Sequence, residues 1–185
     1  CRKDDYETNK VFCECDSDVK VLTIFRYLKH LNDTDELYEI SKLTVDGYMK
    51  ENPKFKNLSP KVIKFEETFA KLPNLQQLTF SSFEIPGMAL PKDLLKSTNS
   101  LKSIKFSKLD ISTVDKELLS GLNYLESIDF SVNEIKELAD DLFATNTKKT
   151  LQSINFAKNF IEYISEKFFN FMINLEVVNF SNNRI

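Results

Sequence analysis

Three stretches of this chain repeat one spacing: "LESIDFSVNEI" at 125–135, "LQSINFAKNFI" at 151–161 and "LEVVNFSNNRI" at 175–185. Each carries apolar residues at the same places, such as Leu125, Ile128, Phe130 and Ile135, around one asparagine: Asn133, Asn159 or Asn183. A period-two strand accounts for Ile128 and Phe130, and no helical period accounts for all the apolar positions together with the asparagine. Upstream, "LKSIKFSKLDI" and "LQQLTFSSFEI" keep the frame but place Leu109 and Phe83 where the asparagine would stand. The five copies start at Leu75, Leu101, Leu125, Leu151 and Leu175, in steps of 26, 24, 26 and 24 residues. A register kept this long restricts the chain to a stack of near-identical units, each packed mainly on its neighbours.

The frame L-x-x-L-x-L-x-x-N-x-L and its period resemble the leucine-rich repeat, whose units run about 20 to 29 residues. The steps are similar to those of the extracellular, receptor-type class. The resemblance implies an α/β fold, a leucine-rich repeat solenoid. A curved parallel β-sheet lines its concave face, short helices and irregular segments its convex face, and a Cys-containing cap its N-terminal end. In such a fold the chain turns inward after each strand and leaves backbone groups unpaired, at about 1–3 kcal/mol for each one buried. A side-chain amide supplies two donors and an acceptor, so Asn133, Asn159 and Asn183 are expected to bridge successive turns as a ladder. Phe83 and Leu109 lack that chemistry and predict looser or altered turns. Phe80, Phe106, Phe130, Phe156 and Phe180 occupy one column and are expected to stack through the core, each contributing about 1.5–3 kcal/mol if fully buried. Leu94-Leu95, Leu118-Leu119, Leu142-Phe143 and Phe168-Phe169 fall at matching places in the second halves.

Three segments follow. Residues 1–36 form an N-terminal cap with a cysteine cluster and a degenerate first strand at Val19, Leu22, Ile24 and Tyr27. Residues 37–74 form a divergent repeat with Ile40, Leu43, Val45 and Tyr48 on the frame. It carries an insertion, "MKENPKFKNLSP", that reads as a loop, then a short outer helix with Val62, Phe65, Phe69 and Leu72 spaced for packing onto the core. Residues 75–185 hold the regular repeats and stop in mid-repeat at Ile185, which leads us to expect a natural protein that continues beyond it. The end strand exposed there is an open edge, and the expectation is fraying, or homo- or hetero-association through that uncapped end.

The three cysteines lie at Cys1, Cys13 and Cys15. Their clustering resembles the caps of extracellular leucine-rich repeat proteins, which carry four. The family's pairing of first with third implies Cys1–Cys15, with Cys1–Cys13 as the alternative, and the odd thiol either stays free or pairs outside this segment. Zinc at Cys1, Cys13, Cys15 and His30 fits no usual structural spacing. "DSDVKVLTIFRY" lacks the glycine and glutamate of a calcium loop. Neither a metal nor a cofactor is expected. Asn32 in "NDT" and Asn179 in "NFS" match the glycosylation pattern, and Asn57 in "NLSP" matches it poorly because proline follows.

Charge and motif content narrow the function classes. A net charge of -3, with lysines interspersed among acids, leaves no basic stripe for nucleic acid. The doublet Lys148-Lys149 reads as a solvated corner. No apolar run reaches the ~18 residues of a membrane span. His30 is the sole histidine and lies in an irregular region, and the glycines at 47, 87 and 121 are too scattered for a phosphate loop. Acidic pairs such as Asp140-Asp141 read as solvated convex surface. The chain is therefore not expected to be an enzyme.

Recognition remains. Side chains alternate across a strand, so in the implied fold Thr79, Lys105, Asp129, Asn155 and Asn179 form the central concave column. It is flanked by Gln77, Ser103, Ser127, Ser153 and Val177 on one side and by Ser81, Ser107, Ser131, Ala157 and Ser181 on the other. The shelf suits a protein or glycan ligand better than a small metabolite, which favours a closed apolar pocket. Lys105, Asp129, Asn155 and Lys158 are the candidate binding residues. The resemblance points to an ectodomain segment like those of invertebrate Toll-like and related secreted proteins of innate recognition or adhesion. The rival reading is an intracellular scaffold or regulatory protein with reduced cysteines.

Overall fold

The computed structural model describes residues 2–4, 10–15, 41–47, 69, 72–82 and 89–185. Among these residues, eight strands form one sheet in chain order: β1 (Arg2–Asp4), β2 (Lys10–Cys15), β3 (Lys42–Gly47), β4 (Gln77–Ser81), β5 (Ser103–Ser107), β6 (Ser127–Asp129), β7 (Ser153–Asn155) and β8 (Val177–Asn179). β1 and β2 pair antiparallel, and every later pairing is parallel. Sequential parallel strands need a connection that returns to the same end of the sheet, and the second half of each repeat supplies it. The carbonyl before one strand accepts two successive N–H groups of the next rung. Gln76 O takes those of Lys102 and Ser103 at 2.8 and 3.0 Å, and Gln152 O takes those of Glu176 and Val177 at 2.8 and 2.9 Å.

The frame residues point inward. Leu78, Ile104, Ile128 and Ile154 align across β4–β7 and are buried. The phenylalanine spine forms as expected: ring centroids lie 5.4 Å apart from Phe80 to Phe106, and 5.6 Å apart at each of Phe106–Phe130, Phe130–Phe156 and Phe156–Phe180. Phe69 adds a ring 6.3 Å from Phe80. On the convex side, Leu94, Leu95, Leu118, Leu119, Leu142, Phe143 and Phe168 close the core. Two convex turns are capped where their sequence supplies an oxygen. Asp115 accepts from Glu117 N at 2.8 Å ahead of α1 (Lys116–Leu119), and Ser165 accepts from Lys167 N at 3.2 Å ahead of a 3₁₀ turn (Glu166–Phe169). The third, α2 (Thr145–Thr150), has no side-chain cap.

The asparagine ladder closes the other side of each rung. Asn133 Nδ2 donates to Phe106 O and Phe130 O at 2.8 and 2.9 Å, and its Oδ1 accepts from Leu109 N and Ile111 N at 3.0 and 3.2 Å. Asn159 repeats this with Phe130 O, Phe156 O and Ile135 N at 2.9, 2.9 and 3.1 Å, and Asn183 with Phe156 O, Phe180 O and Ile161 N at 2.9, 2.9 and 3.0 Å. The residue before each asparagine position is left-handed (Ser82, Lys108, Val132, Lys158 and Asn182), but among the described residues only the Leu109 turn adds a second such residue next to it, Asp110 with φ 55°. That turn is altered, as leucine there predicts. Phe83 lies outside the described residues, as do the expected first strand at 19–27, the insertion at 49–60, and all of the expected helix except Phe69 and Leu72.

Candidate functional site

The parallel register brings Thr79, Lys105, Asp129, Asn155 and Asn179 side by side on β4–β8. Three of the four candidate binding residues form a continuous polar chain. Lys105 Nζ lies 3.2 Å from Asp129 Oδ2, and Asp129 Oδ1 accepts from Asn155 Nδ2 at 3.2 Å. Asp129 Oδ1 also accepts from Ser131 N at 2.9 Å, Asn155 Oδ1 from Ala157 N at 3.0 Å, and Asn179 Oδ1 from Ser181 N at 3.0 Å. These are Asx turns, in which a short side-chain oxygen takes the N–H two residues on.

The turns explain a difference in strand length. β4 and β5 run five residues, and β6, β7 and β8 run three. In β6 the N–H of Ser131 is committed to Asp129, so Phe106 O is left to Asn133 Nδ2. In β5 the central residue is Lys105 and the frame residue Leu109; neither intervenes, and the ladder with β4 runs on through Ser81–Ser107. An acid or amide at the column and an asparagine four residues later therefore act as a pair that ends the strand early. The sequence reading of Asp129 and Asn155 as free contact residues missed this backbone role.

The fourth candidate, Lys158, stands apart. It is exposed on the turn after β7 with φ 57°, its N–H donates to Ser181 O at 2.8 Å, and its ammonium has no ion pair among the described residues. Asn179 ends the column on β8 and is half-buried. Cys13 and Cys15 lie on β2 in register with Val45 and Gly47. Cys1, Asn32 and His30 are outside the described residues.

Lys148 is placed differently from the sequence expectation. It is no solvated corner: only 6% exposed, it donates to Asp140 O at 2.9 Å and Lys167 O at 3.4 Å, tying two convex turns together. Burial pushes its pKa below the ordinary lysine value, opposed by the charges of Asp140 and Asp141. Other convex charges link consecutive repeats from the surface: Lys92–Glu117 at 2.8 Å and Lys116–Asp141 at 2.6 Å. The hydrogen bond and charge of Lys116 hold the Asp141 carboxyl below its usual range. Among the described residues no His, Cys, Asp or Glu group is arranged to hold a metal, and no helix is long and apolar enough to cross a membrane.

No family model matches the sequence. No curated protein matches it either. Solved structures do resemble it in shape. A leucine-rich repeat protein of Leptospira interrogans has a TM-score of 0.61 at 18% identity, over 85% of this chain and 34% of that one. The APL1 leucine-rich repeat domain gives 0.51 at 15% identity, over 70% of this chain and 29% of that one. A chain of the mouse RP105/MD-1 complex gives 0.50 at 22% identity, over 61% of this chain and 18% of that one. The chain thus spans about a third or less of the length of these three structures. Together with the stacked strands, the phenylalanine spine and the asparagine ladder, the likeness establishes the chain as a leucine-rich repeat solenoid.

Proposed function

We propose that this solenoid is the non-enzymatic recognition module of a secreted or cell-surface protein, binding a protein or glycan partner on its concave sheet or flanks in innate recognition, adhesion or signalling. The observation that carries the reading is the open concave column, in which Lys105, Asp129 and Asn155 join hands across three strands, with Lys158 exposed on the turn after β7. Strands about 4.8 Å apart make β4–β8 a shelf on the order of 20 Å wide, a scale suited to a macromolecular surface. One structural neighbour was solved in a complex, that of mouse RP105 with MD-1, which supports a protein partner. The proposed disulfide is Cys1–Cys15, or Cys1–Cys13, and Asn32 and Asn179 are the proposed glycan acceptors.

The test is binding to a protein and glycan array by the wild type and by Lys105→Glu and Lys158→Glu, each checked for an unchanged melting temperature. A signal lost at least tenfold in either variant supports the concave reading, and one unchanged in both refutes it. Thiol counting without reductant addresses the rival. Three free thiols favour an intracellular scaffold, and one favours the secreted protein.

A further inference from the structure

In a stacked fold, a residue's column separates two reasons for exposure. Val178 and Ile185 are exposed, but their column mates Ile128, Ile154, Ile135 and Ile161 are buried, so they are inward residues of the rung that carries β8. Ile173 and Val177 are different. The column of Ile173 holds Pro73, Asn99, Asn123 and Lys149, all exposed even with a rung stacked on them, yet Ile173 is 79% exposed. The column of Val177 holds Gln77, Ser103, Ser127 and Ser153, exposed or half-buried polar residues, and Val177 is 55% exposed. A rung stacked on β8 would cover the first pair, leave Ile173 facing water and leave Val177 half-exposed, like the serines of its column.

Two further observations fall on the same lip, the N-terminal edge of β8. Phe171 is 61% exposed and stands in the left-handed region at φ 69°. That conformation disfavours any side chain with a Cβ, and strain of this kind collects at functional surfaces. Glu176, between Ile173 and Val177, is exposed with no ion pair among the described residues, whereas its column mates Lys102 and Glu126 pair with each other at 3.4 Å.

The geometry points to this lip, Phe171, Ile173, Glu176 and Val177, as a docking surface for a partner protein that presents an apolar side chain next to a lysine or arginine. The inference rests on the recognition reading above and narrows it to a protein. Ile173 and Val177 offer a sugar no hydrogen bond, the oxygens of the neighbouring column are already taken by backbone N–H groups, and the one carboxylate on the lip, Glu176, calls for a cation set beside an apolar group, which side chains of a protein supply and a neutral sugar does not. A second copy of this chain fits poorly, because a two-fold contact at the lip would bring Glu176 towards its own copy.

Ile173→Asn and Val177→Ser restore the residues their columns carry elsewhere, so the double variant is expected to keep the fold. The experiment selects a phage-displayed library of random 12-residue peptides on wild type, then measures the recovered peptides on wild type, on Ile173→Asn/Val177→Ser, on Glu176→Lys and on Lys105→Glu. The expected result is enrichment of apolar residues adjacent to Lys or Arg, with affinity falling at least tenfold on the double variant and on Glu176→Lys. Peptides that bind the lip variants as well as wild type but fail on Lys105→Glu sink the lip and leave the concave reading standing. Peptides without the apolar-basic signature sink it too, as does the recovery of no wild-type binders at all, and in both cases the concave reading is judged by the array. Sedimentation velocity supplies the remaining outcome: self-association lost in the double variant would replace the partner protein with a second copy.

Discussion

Replacing Asn133 with leucine asks whether the ladder and the Asx turn are one device. Asn133→Leu removes the donor to Phe106 O and the acceptor for Leu109 N and Ile111 N, while Phe130 O keeps Asn159 Nδ2 at 2.9 Å. Three buried backbone groups lose their partner, and at about 1–3 kcal/mol each, with some relaxation, the expected cost is about 3–5 kcal/mol. The chain itself contains the alternative, since β4 and β5 run two residues longer where the column holds Thr79 or Lys105. Asp129→Thr should release Ser131 N to take up Phe106 O, so Asp129→Thr/Asn133→Leu is expected to recover about 1–2 kcal/mol beyond additivity. Urea unfolding followed by far-UV circular dichroism measures the cycle, and hydrogen exchange at Ser131 reports whether β6 has lengthened. A single-variant cost under about 1 kcal/mol, or strict additivity, would refute the reasoning.

Phe130→Ala opens a void between the rings of Phe106 and Phe156, each 5.6 Å away, and is expected to cost about 3–5 kcal/mol in the same assay. Lys148 predicts a pH effect of definite sign. Its folded pKa lies below the unfolded value of 10.5, so the fold disfavours the bound proton, and stability should rise as pH climbs through the folded value towards 10.5. The urea midpoint of wild type minus that of Lys148→Met should show that alkaline rise. Asp141 acts in the opposite range: its carboxyl is held below 3.8 by Lys116, so its contribution is present above that value and lost as pH falls through the folded one. Asp141→Asn should flatten that acid limb, and salt should weaken the effect because the pair is exposed.

Core and register were legible because burial imposes them at every rung. Phe106, Phe130 and Phe156 recur at one offset, and only a stack satisfies that. The amide ladder was legible for the same reason, since a buried carboxamide in an apolar frame needs backbone partners. The role of Asp129 was not, because the same residue type serves equally in a solvent-facing column or in a turn closed on its own chain, and only the hydrogen bond to Ser131 distinguishes them. Lys148 was lost to a local shift of register. Leu151 N reaches back four residues to Thr147 O, where Leu125 N and Leu175 N reach back three, to Leu122 O and Met172 O. The extra residue carries one member of the lysine pair inward. Val177 was visible in its column as the one apolar residue, but its significance needed the exposure of its mates.

These hydrogen bonds also bear on where a partner can act without harming the scaffold. A ligand that recruits the oxygens of Asp129, Asn155 or Asn179 competes with the N–H groups of Ser131, Ala157 and Ser181, which hold the ends of β6, β7 and β8. What the surface can offer at little structural expense is donors, Lys105 Nζ on β5 and the ammonium of the exposed Lys158 on the turn after β7. Ile173, Glu176 and Val177 carry no such duty in their side chains. Contact there leaves the ladder intact, so recognition through the lip should raise the stability of the complex without changing exchange in β6, whereas recognition through Asp129 should accelerate exchange at Ser131. Hydrogen exchange on a bound and a free sample distinguishes the two surfaces.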